Sequence, residues 1–195
     1  MNKLTLLSSL SFLLLSGCIS KGVLEKNVKL ESGDETVFVF GVQPDNFRIS
    51  VFPGSVKDGE FKQNPFRTAT VYSAASDGYV LGKANAGETL AITNIRFVSA
   101  KGNVLGSDFK PCEGTKALVF DVPPGKVIYI TDVRYFFSQD DGLNYKYTAN
   151  LEAAQQYIDS NYPNLKGRLE IWDYRQLPVS ESCTTNIYVP STPHH

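Results

Sequence analysis

The sequence predicts a mainly β protein, an antiparallel β-sandwich with one α-helix over about residues 150–161. Short runs in which apolar and polar residues alternate recur from Thr36 onward, as in half-buried strands. Turns rich in glycine and proline separate these runs. Only one late segment has helical periodicity. We therefore expect antiparallel sheets packed face to face, with the helix at one end.

The first strands differ in their apolar pattern. Residues 37–42 are continuously apolar, which predicts a centrally buried strand, whereas residues 47–51 alternate and predict a half-buried one. Asp77-Gly78 separates strand-like residues 68–73 from residues 79–83. Because this dipeptide tolerates positive φ, it predicts a hairpin turn.

The next strands carry a phase shift and a proline turn. Over residues 90–98 the apolar positions change phase between Ile92 and Ile95, which predicts a β-bulge near Thr93 and Asn94. Residues 118–122 alternate again, Pro123-Pro124-Gly125 favours a type II turn, and residues 126–137 form the returning strand. Asp140-Asp141-Gly142 ends that strand.

The helix has clear boundaries. Asn150 is a good N-cap residue, and Pro163 disfavours helix at Tyr162. Two further strands are expected, over residues 169–174 and 184–189. The apolar stripe of the helix consists of Leu151, Ala154, Tyr157 and Ile158.

The N-terminus carries a targeting signal. Lys3 precedes an apolar run over residues 4–15, which is shorter than the roughly 20 residues of a membrane-spanning helix. The run ends in Leu15-Ser16-Gly17-Cys18, which resembles the lipobox of bacterial lipoproteins. The resemblance implies cleavage before Cys18, a diacylglyceryl group on its thiol and acylation of the new N-terminus. The alternative is an ordinary secretory peptide.

The resemblance gives the domain organisation and the location. Residues 1–17 are a lipoprotein signal peptide, 18–35 a lipidated tether and 36–195 a single β-sandwich domain. A short edge strand over residues 28–30 is the competing interpretation of part of the tether. Ile19 and Ser20 follow the cysteine, and the sorting pattern of lipoproteins then implies the outer membrane of a Gram-negative cell, with the protein facing the periplasm.

Part of the mature chain has a second resemblance. Gly78-Tyr79-Val80, the turn over residues 86–90 and the segment over residues 122–130 resemble the transthyretin-like or immunoglobulin-like sandwich of small Gram-negative lipoproteins. This resemblance implies the fold and assigns no active residue.

Charge and histidine content exclude several functions. Without Lys3 the mature chain keeps 18 of the 19 basic side chains against 20 acidic ones, so it lacks the basic face that nucleic-acid binding needs. The two histidines, His194 and His195, are the final two residues, where a rigidly held imidazole is not expected. Histidine-dependent hydrolysis and histidine-based metal sites are therefore not expected, and we expect neither a metal nor a cofactor.

The three cysteines have two different expected roles, lipid attachment for one and a disulfide for the other two. With Cys18 assigned to lipid, Cys112 and Cys183 remain as a pair that an oxidising periplasm would join in a disulfide. Two buried thiols are the alternative.

Acidic residues offer two alternative sites. Asp140, Asp141 and Asn144 lie around Gly142, but their spacing departs from a calcium-binding loop, and a solvated turn is the simpler interpretation. Glu170 with Asp173, or Asp132 with a neighbouring acid, would give the carboxylate pair of a hydrolase acting on envelope polysaccharide.

Aromatic residues concentrate in the C-terminal part. Tyr145 and Tyr147 share one face of a strand-like segment, as do Trp172 and Tyr174, the first of which is the single tryptophan. Two interpretations fit these rings. They pack in the core, or they form a surface that binds a glycan or an envelope protein. We therefore expect a lipid-anchored, non-enzymatic binding or scaffolding protein of the cell envelope, with the polysaccharide hydrolase as the alternative.

Overall fold

The computed structural model describes residues 22–30, 33–98, 104–111, 116–138 and 142–180. Several sequence predictions lie outside these ranges. They are the signal peptide 1–17, Cys18, the pair Cys112 and Cys183, Asp140 and Asp141, the strand over 184–189, and His194 and His195.

The described chain forms two β-sheets and one α-helix, which confirms the predicted mainly β fold. The helix α1 spans Leu151–Asn161 and is followed by a short 3-10 helix, Pro163–Leu165. The strands are β1 (Glu35–Gln43), β2 (Phe47–Lys57), β3 (Glu60–Gln63), β4 (Val71–Ala74), β5 (Tyr79–Asn85), β6 (Thr89–Val98), β7 (Val104–Phe109), β8 (Lys116–Asp121), β9 (Val127–Ser138), β10 (Gly142–Thr148), β11 (Leu169–Ile171) and β12 (Arg175–Pro178).

β1 lies in the interior of the first sheet and is buried on both faces. The strand order of this sheet is β10-β9-β1-β5, with β11 also paired to β9. Val37 and Val39 of β1 face the helix, while Phe38 and Phe40 face the second sheet. The continuous apolar run over residues 37–42 is thus explained by burial on both faces, as the sequence predicted.

The second sheet contains the predicted bulge. Its order is β12-β8-β6-β2-β3, with β4 also paired to β2 and β7 to β6. Ser50 pairs with Asn94, but Val51 pairs with Ile92, so Thr93 is the extra residue. The phase shift along β6 therefore marks a real register change.

Two turns connect strands of different sheets, which corrects the simple hairpin expected from the sequence. Asp77 and Gly78 have positive φ, and the backbones of Ser76 and Tyr79 are joined by two hydrogen bonds. However, β4 pairs with β2 and β5 pairs with β1. A tight turn fixes a local reversal, whereas burial of both strands decides which sheet each one joins.

The Pro123-Pro124-Gly125 turn crosses between the sheets in the same way. β8 lies in the second sheet, and β9 enters the first sheet parallel to β1. β11 also runs parallel to β9, so the first sheet is mixed and the second is antiparallel.

The helix and the N-terminal segment cover the outer face of the first sheet. The side chain of Asn150 accepts a hydrogen bond from the Ala153 amide, as the sequence predicted for the N-cap, and Ala154 and Ile158 are buried. Residues 22–30 form no strand here. Leu24, Val28 and Leu30 instead pack beside the helix, so this part of the predicted tether lies on the domain.

Strands of the second sheet close into a ring. The strands in order are β3, β2, β6, β8 and β12, and a bridge from Phe61 to Val179 joins the last to the first. The Ser180 amide also donates to the Phe61 carbonyl oxygen over 2.9 Å. Phe61 fills the ring and is fully buried against Ala91 and Val119.

Candidate functional site

The four predicted aromatic residues lie along one flank of the sandwich, where β8 and β12 of one sheet approach β9, β10 and β11 of the other. We call this group the aromatic seam; it comprises Tyr145, Tyr147, Trp172 and Tyr174. All four side chains are partly buried and pack against the core between the sheets. The ring centroid of Tyr147 lies 5.1 Å from that of Tyr145 and 5.4 Å from that of Tyr174.

The seam joins the two sheets through hydrogen bonds. The Tyr145 hydroxyl donates to the Lys116 carbonyl oxygen over 2.8 Å, and Nε1 of Trp172 donates to the Asp121 carbonyl oxygen over 2.8 Å. Lys116 and Asp121 are the two ends of β8. The rings therefore close this flank along the full length of that strand.

Burial favours the protonated form of two seam phenols, Tyr145 and Tyr147. Desolvation raises the pKa of Tyr147, and the neighbouring Tyr135, Tyr145 and Tyr174 raise it further. Desolvation also raises the pKa of Tyr145, although its bond to the Lys116 backbone lowers it. These hydroxyls thus remain hydrogen-bond donors at every physiological pH.

Charged side chains border the seam. Nζ of Lys126 lies 5.4 Å from the centroid of the Trp172 ring and forms a 2.6 Å salt bridge with Glu170. Arg175 forms a 2.7 Å salt bridge with Asp121. The seam is consequently a partly exposed aromatic stripe with a polar rim.

A polar groove adjoins the seam at Asp121. It has a volume of about 490 Å³ and opens where strands of the ring end. Arg67 pairs with Glu88 over 2.8 Å, and the Thr89 hydroxyl donates to Asp121 over 2.7 Å. The lining residues are Pro53, Gly54, Ser55, Val56, Asn64, Arg67, Gly87, Glu88, Thr89, Asp121 and Arg175.

A smaller depression continues this groove toward β4 and β5. It has a volume of about 270 Å³ and shares Arg67 and Glu88 with the larger groove. Lys83 and Glu35 on its wall form a salt bridge of 2.9 Å. No pattern in the sequence indicated either depression, because the lining residues come from strand ends that are far apart along the chain.

Asp132 lies outside the groove, on the outer face of the first sheet. Desolvation raises the pKa of its carboxyl, and a hydrogen bond from the Tyr129 hydroxyl lowers it by a smaller amount. That hydroxyl also accepts from the Asn150 amide over 2.9 Å. Among the described residues, Oδ1 of Asp132 is buried without a hydrogen-bond partner.

The other acidic candidates lie on the surface. Glu170 and Asp173 are both exposed, and neither lines the two depressions described above. Asn144 lies on β10, whereas its two predicted partner acids fall outside the described residues. Within residues that the structure describes, no three His, Cys, Asp or Glu side chains are arranged to hold a metal ion.

No helix in the described part of the chain is long and apolar enough to cross a membrane. Comparison with known proteins found no matching family model, curated protein or solved structure.

Proposed function

We propose that this chain is a lipid-anchored, non-enzymatic binding protein of the cell envelope that contacts its partner through the aromatic seam. The supporting observation is the seam itself, in which four half-buried rings form a stripe bordered by salt bridges. An apolar centre with a polar rim is the usual anatomy of an interface, and Trp and Tyr contribute most to binding energy at such surfaces.

The polar groove favours recognition over catalysis. Its carboxylates are already paired with basic groups, Glu88 with Arg67 and Asp121 with Arg175. A hydrolase needs a carboxyl group that is free to act on the substrate, whereas both of these carboxylates are already engaged by guanidinium groups. The groove thus supports the binding function and gives no support to the polysaccharide hydrolase.

The partner chemistry that fits is a glycan or an envelope protein. Sugars present apolar faces that stack on aromatic rings and hydroxyls that bond to side chains such as Arg175 and Asp121. A protein partner would use the same rings as apolar anchors. Sacculi and envelope polysaccharide test the first partner, and cross-linking in intact cells tests the second.

The seam is tested with Trp172→Phe. This variant keeps an apolar ring against the core and removes the Nε1 donor to Asp121, so we expect a stability loss of about 1 kcal/mol, or roughly 2–4 °C in Tm. We expect several-fold weaker co-sedimentation with sacculi or weaker cross-linking to a partner. The matched control is Phe136→Ala, which alters a 46% exposed ring on the face of β9 opposite to the buried Tyr135. Binding that stays unchanged in Trp172→Phe would remove the seam from the proposed function.

The anchor is tested with Cys18→Ser. The hydroxyl cannot form the thioether, so the variant should remain unprocessed or leave the detergent phase. Several acyl chains contribute about 0.8 kcal/mol per buried CH₂ and hold a protein firmly, unlike a single chain. Partitioning that does not differ from the wild type would contradict lipidation at Cys18. Fractionation with the inner membrane would contradict only the outer-membrane assignment.

A further inference from the structure

The described chain begins on the flank opposite the aromatic seam. Gly22 lies directly against Thr70, because a Cβ atom built at Gly22 would be 2.1 Å from the Thr70 carbonyl oxygen. Thr70 immediately precedes β4, and its amide donates to the Val51 carbonyl oxygen over 2.8 Å. β4 and β5 form this flank, whereas the seam lies beside β8 and β12. The chain thus enters the domain at a fixed point.

The covalent chain places a lipid on Cys18 close to this point. Gly22 is four positions after Cys18, so their Cα atoms lie at most about 14 Å apart. That distance is smaller than the roughly 30 Å thickness of the bilayer hydrocarbon. The lipid therefore holds the Thr70 side of the domain next to the membrane surface.

An exposed aromatic ring lies close to Thr70 along the chain. Phe66 is 94% exposed and is four residues from Thr70, while Val23, next to Gly22, is 55% exposed. Removing large apolar side chains from water is favourable, so a surface that covered both of them would gain stability.

The turn that carries Phe66 is held in place. The Asn64 amide donates to the Pro53 carbonyl oxygen over 2.9 Å, the Asn64 side chain accepts from the Phe66 amide over 3.0 Å, and the Arg67 amide donates to the Asn64 carbonyl oxygen over 3.3 Å. The guanidinium of Arg67 is tied to Glu88. The ring is thus presented outward by a fixed turn.

We infer that Phe66 and Val23 insert into the surface of the bilayer that holds the Cys18 lipid, so that the Thr70 side of the domain faces the membrane. This inference rests on the lipid anchor of the proposed function. Apolar side chains at such a contact enter the boundary between headgroups and acyl chains, about 5–10 Å deep.

The test measures the depth of a tryptophan at position 66. The lipidated full chain carries Phe66→Trp together with Trp172→Phe, so that it has one tryptophan, and is reconstituted into vesicles of phosphatidylethanolamine and phosphatidylglycerol with brominated acyl chains. The control carries Ile171→Trp with Trp172→Phe. Ile171 is 62% exposed and lies on β11, beside the seam. Bromine quenches tryptophan only at short range.

We expect brominated vesicles to quench the Phe66→Trp protein several-fold more strongly than the Ile171→Trp protein, with both proteins floating with the vesicles. Flotation without quenching of Phe66→Trp, or with equal quenching of both, would overturn the orientation and leave the anchor intact. Protection of the Phe66→Trp ring by added envelope polysaccharide instead of by lipid would also overturn it and assign the turn to glycan binding. Loss of flotation would overturn the anchor and the orientation together.

Discussion

Asp132 illustrates how a single residue position is set by its neighbours. Its carboxylate lies over Gly41, where a Cβ atom would be 2.0 Å from Oδ1. Gly41 and Asp132 are register partners on β1 and β9. The sequence identified Asp132 as a candidate acid, but it did not show that a glycine on another strand makes room for the side chain. The pairing of β1 with β9 supplies that information.

Asp132→Asn tests the electrostatic cost of this carboxylate. Because burial raises its pKa above the ordinary value of 3.8, the folded state binds the proton more tightly than the unfolded state does. The contribution to stability is therefore present below the unfolded pKa and is lost as pH rises through the folded pKa. We expect Asp132→Asn to raise Tm at pH 7, and the difference from the wild type to shrink as pH falls toward 4.

Thermal unfolding at several pH values measures this effect. Asp121→Asn is the matched control, since it removes a carboxylate that is paired with Arg175 and bonded to Thr89. We expect no gain in Tm from the control. A lower Tm for Asp132→Asn at pH 7 would show that the bond from Tyr129 outweighs the desolvation of the charge.

At the scale of the elements, local signals predicted local structure. The phase shift along residues 90–98 located the bulge at Thr93, and Asn150 with its apolar stripe located α1. The pairing partners of the strands could not be predicted in this way. Turn residues such as Asp77-Gly78 specify a chain reversal but not the sheet that each strand joins. The short strands β3 and β12 also escaped prediction, since their pairing depends on ring closure between distant segments.

Phe61→Ala tests the closed ring. Phe61 is fully buried among Ala91, Ala117 and Val119, so its truncation leaves a cavity and should cost about 3–5 kcal/mol in the free energy of unfolding. Phe66→Ala, in the same region but at a 94% exposed ring, should change stability by no more than about 0.5 kcal/mol. Chemical denaturation measures both. Similar costs for the two variants would contradict the ring packing.

At the scale of the whole molecule, the flanks of the sandwich have different chemistry. The aromatic seam joins the sheets on one flank, and the chain enters beside Thr70 on the other. Two alternating patterns in the sequence drew attention to the seam residues, but β11 ends at Ile171, so Trp172 and Tyr174 do not lie on the strand that the sequence predicted over residues 169–174. The sequence did not predict the polar groove, which is assembled from residues between Pro53 and Arg175.

The central claim is that this chain is a contact protein fixed to the membrane through Cys18. The most direct test is the intact mass of the protein extracted from cell envelopes. We predict a chain that starts at Cys18 and carries a diacylglyceryl group and an N-terminal acyl group. Reduction should add two hydrogens if Cys112 and Cys183 are joined, a bond whose loss should cost a few kcal/mol of stability. A chain without lipid, or one that retains residues 1–17, would contradict the account.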